Sequence, residues 1–124
     1  AGGLASATST AGVFKKTPGR VGDSPLIGAG TWADERVAVS CTGQGELFIK
    51  IAAAAQLAFR VRAGASLGEA AELVMAEIAA FDGDGGLIAI DRDGAMAMPY
   101  RSEGLKRACL AMDGAISVRV FDDD

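Results

Sequence analysis

Residues 46–62 constrain the fold of this chain more than any other stretch. The segment has helix length, and its apolar residues occupy most faces of the helix rather than one stripe. Such a helix belongs between two layers, not on a surface. Glu46 stands in its first turn, where the helix dipole favours an acid. Residues 36–42 before it read as a strand that ends in the glycine turn Gly43-Gln44-Gly45. After it, Gly64 ends the helix, and Ser66-Leu67-Gly68-Glu69 is a capping box that opens a second one. In that second helix Leu67, Ala70, Val74, Ile78 and Phe81 make one apolar stripe, with Glu69, Glu72 and Glu77 expected to face water.

Strands flank this helical middle. Asp82-Gly83-Asp84-Gly85-Gly86 breaks the chain, 87–90 is a strand, and Asp91-Arg92-Asp93-Gly94 is a hairpin turn into 95–98. That turn lacks the further ligands and the distal glutamate of a calcium loop. Residues 104–112 and 115–121 read as two more strands around Asp113-Gly114. At the other end, 4–8 alternates after Gly2-Gly3 and is expected to be the return strand of a hairpin whose partner lies before Ala1. Residues 8–25 form a loop rich in Gly, Ser, Thr and Pro. Strands, then two helices, then strands make an α+β order rather than a βαβ series.

With 124 residues, 50% hydrophobic and 23% charged, the chain has the length and composition of one folded unit, or of half of a larger one. Aromatic residues are few and Ala and Gly abundant, which suits closely packed backbone layers. A net charge of −4 argues against a nucleic-acid partner. The longest apolar run, 47–61, is broken by Lys50, Gln56 and Arg60, so no membrane span is expected. No signal-peptide pattern is seen at the N-terminus. Cys41 and Cys109 have neither metal-ligand nor dithiol spacing; buried free thiols in a reducing, cytoplasmic compartment are the expectation.

Histidine is absent. Ser-His and Cys-His mechanisms and His-ligated metals are thereby excluded within this chain. A base near neutral pH has to be a perturbed carboxylate, a lysine, or a terminal α-amino group, whose ordinary pKa is about 7.7–8.0.

The chemistry-bearing residues gather in two places. Thr17-Pro18-Gly19-Arg20-Val21-Gly22-Asp23-Ser24-Pro25 sets a cation and an anion three positions apart on a loop stiffened by two prolines. A guanidinium grips a carboxylate with two parallel hydrogen bonds, and a carboxylate takes an ammonium. The pair suits the two ends of a free α-amino acid, or it is an Arg20–Asp23 salt bridge that only pins the loop. Thr42 and the Gly43-Gln44-Gly45 corner offer a hydroxyl and backbone N–H groups at a helix start. These suit an oxyanion hole, or an ordinary turn with Thr42 as a helix cap.

Three segments, Thr8-Ser9-Thr10, Gly19-Arg20-Val21-Gly22-Asp23-Ser24-Pro25 and Ser40-Cys41-Thr42-Gly43-Gln44-Gly45-Glu46, resemble the β-subunit of the plant-type asparaginases, or isoaspartyl peptidases, in order and spacing. Residues 86–91 and 98–104 fit more loosely. These are N-terminal nucleophile hydrolases, and the resemblance spans essentially the whole chain, 1–124. It implies a four-layer αββα sandwich of which this chain is the C-terminal half, with an α-subunit cut from the same precursor and an (αβ)2 assembly. It implies hydrolysis of L-asparagine and β-aspartyl dipeptides through a β-aspartyl-threonine intermediate, with no cofactor and a structural sodium only in the α-subunit.

The resemblance also assigns roles. Thr10 orients the nucleophile, Arg20 binds the substrate α-carboxylate and Asp23 its α-ammonium. Thr42 and the N–H of Gly43 form the oxyanion hole, and the Gly45 carbonyl assists at the ammonium. The nucleophile is expected to be an N-terminal threonine heading a strand of about ten residues upstream of Ala1. The chain alone is therefore expected to be inert. Ala11 stands where the family often has glycine, and Arg101 where asparagine is common. Two other readings stay open: a glycosylasparaginase, and a non-catalytic relative that binds an amino acid or supports a partner chain.

Overall fold

The computed structural model describes residues 3–122. Along the chain run β1 (Thr31–Ala33), β2 (Val37–Gly43), α1 (Gly45–Lys50), α2 (Ala53–Arg62), α3 (Leu67–Ala80), β3 (Gly85–Asp91), β4 (Met96–Ala97), β5 (Tyr100–Arg101), β6 (Arg107–Leu110) and β7 (Ile116–Arg119). The first five strands by position form one sheet in the order β1-β2-β3-β4, with β5 also on β3, and β6 pairs with β7 in a separate ribbon. Every pairing between these strands is antiparallel. The chain is mixed α/β, with its helices in the middle of the sequence.

Alternation along the two central strands decides the layering. Val37, Val39 and Cys41 of β2 and Leu87 and Ala89 of β3 are buried against Phe48, Ala54, Leu57, Ala58, Ala70, Val74 and Ile78 of the helices. Fully burying a Leu, Ile or Phe side chain contributes about 1.5–3 kcal/mol, so this seam is the main source of cohesion. The alanines of α2 let its backbone approach the sheet closely. The opposite face is open: Ser40, Ile88, Ile90 and Met96 line a concavity of about 320 Å³ together with residues 5–7 and 108–110.

The structure corrects several expectations. The helix over 46–62 is two helices, because Ala52 takes the left-handed conformation (φ 50°) between them. The break lets the N–H groups of Ala54 and Ala55 bond the carbonyls of Ala29 and Gly28. The first turn of α2, whose donors have no partners within the helix, is thus capped by the loop that follows Asp23. Residues 4–8 form no strand among the described residues. Their alternation is nevertheless real: the Ser6 hydroxyl donates to the Val39 carbonyl, and the Thr8 hydroxyl bonds the Gly30 carbonyl and the Ser40 hydroxyl. The segment fastens to the sheet by side chains instead of a backbone ladder. The Gly2-Gly3 turn proposed before it lies partly outside the described residues.

Glu77 is not simply solvated, since it takes Arg60 and Gln56 of α2. The capping box of α3 forms as expected, with Ser66 and Glu69 bonding reciprocally. Phe81 leaves the stripe, however, and is half-exposed at the helix end. Strands β1 and β5, of three and two residues, are not among the strands expected from the sequence; β4 is as short, but a hairpin turn announces it. Cys41 is buried and free, whereas Cys109 is free but only partly covered.

Candidate functional site

Local turn chemistry sets out the loop first. Thr17-Pro18-Gly19-Arg20 closes with an N–H bond from Arg20 to the Thr17 carbonyl at 3.0 Å, and Gly19 has φ 85°. Proline at the second position and a positive-φ glycine at the third are the requirements of a type II turn. A second turn begins at Asp23, whose carbonyl accepts from the N–H of Leu26 at 2.9 Å. Arg20 and Asp23 therefore sit at the end of one fixed turn and the start of the next.

Asp23 is 4% exposed, and among the described residues its Oδ2 has no hydrogen-bond partner. Burial pushes its carboxyl above the ordinary range, although the backbone N–H groups of Asp23 and Ser24 and the charge of Arg20 pull the other way. An unpaired buried carboxylate oxygen is costly unless a cation comes to it. Its Oδ1 lies against Gly45: a Cβ built on Gly45 would stand 2.8 Å from both that oxygen and the Asp23 nitrogen. The loop and the corner are thus in direct contact.

Arg20 does not bond Asp23. Its Nε donates to Glu46 Oε1 at 2.8 Å and its Nη2 to Oε2 at 3.0 Å. The loop-pinning reading of an Arg20–Asp23 bridge is thereby set aside; the two groups feel each other only through space. Glu46, read from the sequence as a first-turn acid and as the end of the Ser40–Glu46 motif but given no role there, is the partner of Arg20 that sequence reasoning missed. Its place directly after Gly45 was the available signal. The Arg20 guanidinium holds the Glu46 carboxyl down at about 2.

At the corner, Thr42 and Gly43 are exposed, and the Gln44 side chain makes no cap bond to α1. The Gln44 N–H donates to the Asp84 carbonyl at 3.0 Å. Hydrogen-bonded pairs alternate along an antiparallel ladder, so Gly43, paired with Gly85, turns its N–H away from β3. That N–H lies on the β1 side, beyond the Cys41-to-Gly30 bond and the last β1–β2 pair, Thr31↔Ser40. Gly43 and Gly85 themselves meet so closely that a Cβ on Gly43 would stand 2.5 Å from the Gly85 Cα and 3.0 Å from the Phe48 ring. The N-cap position of α1 is Gln44, so Thr42 is not the helix cap.

Two adjoining clefts share a wall made of Thr8, Ser9, Thr10 and Ser24. One, of about 390 Å³, also holds Arg20, Gly22 and Lys16. The other, of about 240 Å³, holds Ser40, Cys41 and Thr42. Thr10 is exposed between them, its hydroxyl accepting from the Gly12 N–H at 3.0 Å. Of the residues singled out from the sequence, Arg20, Asp23 and Gly45 form one contiguous group. Thr10 borders both clefts and Thr42 lines the second, whereas Asp23, Gly43 and Gly45 line neither. Ala11 lines the first cleft, and Arg101 lies away from both, 3.5 Å from Asp82. Cys41 is no nucleophile, since burial drives its thiol well above the ordinary range.

A helix-backed antiparallel sheet, with a buried carboxylate beside clefts lined by a guanidinium and several hydroxyls, defines a mixed α/β protein with a polar, cationic cleft near its strand-to-helix corner. Residues 1–120 match the family described as asparaginase, and the chain belongs to that family of hydrolases. The family has the N-terminal nucleophile hydrolase fold. The chain is 54% identical over 110 residues to the isoaspartyl peptidase of Salmonella typhimurium, covering 86% of this chain and 35% of the relative. The isoaspartyl peptidase of Escherichia coli is likewise 54% identical, with 86% and 34% covered. The human isoaspartyl peptidase/L-asparaginase is 38% identical over 125 residues, covering 99% of this chain and 40% of the relative. The chain thus spans about a third of the length of the first two and two fifths of the third.

Proposed function

We propose that this chain supplies the substrate clamp and oxyanion site of an amidohydrolase that cleaves L-asparagine and β-aspartyl dipeptides. The observation that carries this reading is the unpartnered Oδ2 of buried Asp23, held in the same loop as a guanidinium. An α-ammonium ion on Asp23 removes the cost of the lone carboxylate, and the α-carboxylate of the same molecule goes to Arg20. The Gly45 carbonyl adds an acceptor at the ammonium. With both ends of the amino acid fixed, its side-chain amide is directed towards Thr10 and Thr42.

Attack comes from the hydroxyl of an N-terminal threonine outside these 124 residues, its own amine acting as base and Thr10 orienting it. The amide carbon becomes tetrahedral, and its oxygen takes hydrogen bonds from the Thr42 hydroxyl and the Gly43 N–H. Ammonia or an amine leaves, giving a β-aspartyl ester, and water then releases aspartate. No cofactor enters this scheme.

The open face of the sheet gives the reading a structural counterpart. Ile88 is 45% and Leu110 68% exposed there, and the relatives carry about twice as much chain again as this one covers. An α-subunit sheet laid on that face completes an αββα sandwich, which associates as (αβ)2 in the cytoplasm. Any sodium belongs to that α-subunit.

The test is aspartate release by the full-length protein from L-asparagine, a β-aspartyl dipeptide and N-acetylglucosaminyl-asparagine. Turnover of the first two, lost in Arg20→Ala with folding retained, is the expected result. Turnover of the glycosylated substrate alone makes the protein a glycosylasparaginase. No turnover of any of the three overturns the proposal.

A further inference from the structure

Arg20 has two edges that can hold a carboxylate. The side edge presents Nε–H and one hydrogen of Nη2, and the end edge presents Nη1 and the other hydrogen of Nη2. Glu46 occupies the side edge with both of its oxygens, at 2.8 and 3.0 Å. The guanidinium plane is thereby fixed, and no described residue hydrogen-bonds the end edge. Nη1 lies above Gly22, where even a Cβ would come within 2.8 Å, and both Gly22 and Arg20 line the cationic cleft. The Arg20 side chain is 14% exposed, whereas the Glu46 side chain is 64% exposed. Glu46 therefore gains little by burial in making this contact. What the contact achieves is the orientation of Arg20.

We infer that Glu46 is a positioning residue for the carboxylate clamp, holding the side edge of Arg20 so that the end edge faces the substrate α-carboxylate. The inference rests on the clamp proposed above. It adds to that reading a specificity requirement: the substrate must carry a free α-carboxylate, planar and presented edge-on. Glu46 acts through Arg20 and does not itself touch substrate. Arg20 holds the Glu46 carboxyl down at about 2, so the pair is charged on both sides at neutral pH. The groups that face it there are Arg20 and, through space, Asp23, which repels a second anion and keeps the carboxylate of the substrate on the Arg20 side.

The test uses the full-length protein with two substrates, L-asparagine and its α-carboxamide, which keeps the ammonium and the side-chain amide but lacks the α-carboxylate. Glu46→Gln keeps the size of the side chain and loses the charge and one acceptor. It is expected to raise KM for asparagine about ten-fold, the scale of one charge-assisted hydrogen bond, and to leave kcat near that of the unmodified enzyme. The kinetic constants for the carboxamide stay unchanged. Glu46→Ala acts in the same direction and more strongly. In an Arg20→Ala background, Glu46→Gln has no further effect.

A lower KM for asparagine in Glu46→Gln makes Glu46 a competitor for Arg20 and overturns the inference. Equal losses on both substrates make its role merely structural and overturn it too. If the unmodified enzyme does not distinguish asparagine from the carboxamide, the clamp at Arg20 fails and takes the inference with it. If it does distinguish them but Glu46 variants change nothing, positioning alone fails.

Discussion

Gly45 lies directly against Asp23, so close that its α-carbon has room for a hydrogen and nothing larger. A Cβ there would be 2.8 Å from the Asp23 nitrogen and from Oδ1, and 3.0 Å from the Gly22 Cα. Real Cβ atoms do not come within 3 Å of backbone, so any side chain at 45 has to push the loop away. Through this one contact the glycine corner sets where the Asp23 carboxylate stands.

Gly45→Ala is accordingly expected to disable substrate capture while leaving the helical core intact. The displaced element is the loop, because β2 and α1 are held by Phe48 and Val39 in the buried seam. Steady-state kinetics should show KM rising with little loss of thermal stability. Normal KM in Gly45→Ala removes the corner from the clamp.

Asp23→Asn should make the protein more stable at neutral pH and inactive. The folded-state pKa of Asp23 is raised above its ordinary 3.8, chiefly by burial. Between the unfolded and folded values the native state binds more protons, so stability falls as pH rises through that window. The carboxylate thus destabilises the empty protein at pH 7, and below 3.8 the cost vanishes because the group is protonated in both states. Thermal melts of the two proteins should diverge at pH 7 and converge at acid pH. Equal melting at pH 7 contradicts the orphaned carboxylate. Saturating aspartate should narrow the gap by stabilising the unmodified protein alone.

Thr42→Ala is expected to lower kcat by about a hundred-fold, the scale of one lost oxyanion donor, with KM nearly unchanged. Thr42 is exposed and its side chain caps no helix, so stability should not move. A change confined to KM would assign the hydroxyl to ground-state binding instead.

Ala52→Gly tests the break between α1 and α2. Ala52 has φ 50°, and left-handed backbone costs an alanine about 1–2 kcal/mol more than it costs glycine. Replacement should stabilise the protein by about 1 kcal/mol in urea unfolding, after the extra entropy of a glycine in the unfolded chain is allowed for. Destabilisation would show that the methyl group of Ala52 contributes packing that outweighs the backbone strain.

Local signals determined much of this protein. The capping box at Ser66, the turn at Asp91–Gly94 and the strand-to-helix corner after Thr42 were all legible, because each depends on residues within four positions of one another. The motifs of residues 8–46 likewise pointed to the family. Tertiary structure decided what those residues meet. Arg20 turned to Glu46, 26 positions away, and Asp23 was left with an orphaned oxygen. Residues 4–8 kept their alternation but bonded the sheet through hydroxyls, and one long apolar helix broke at Ala52 because the carbonyls of Gly28 and Ala29 offered partners to its second half. Periodicity and propensity report a residue's neighbours along the chain. Charge pairing and the satisfaction of buried polar groups depend on distances that exist only after the chain has folded.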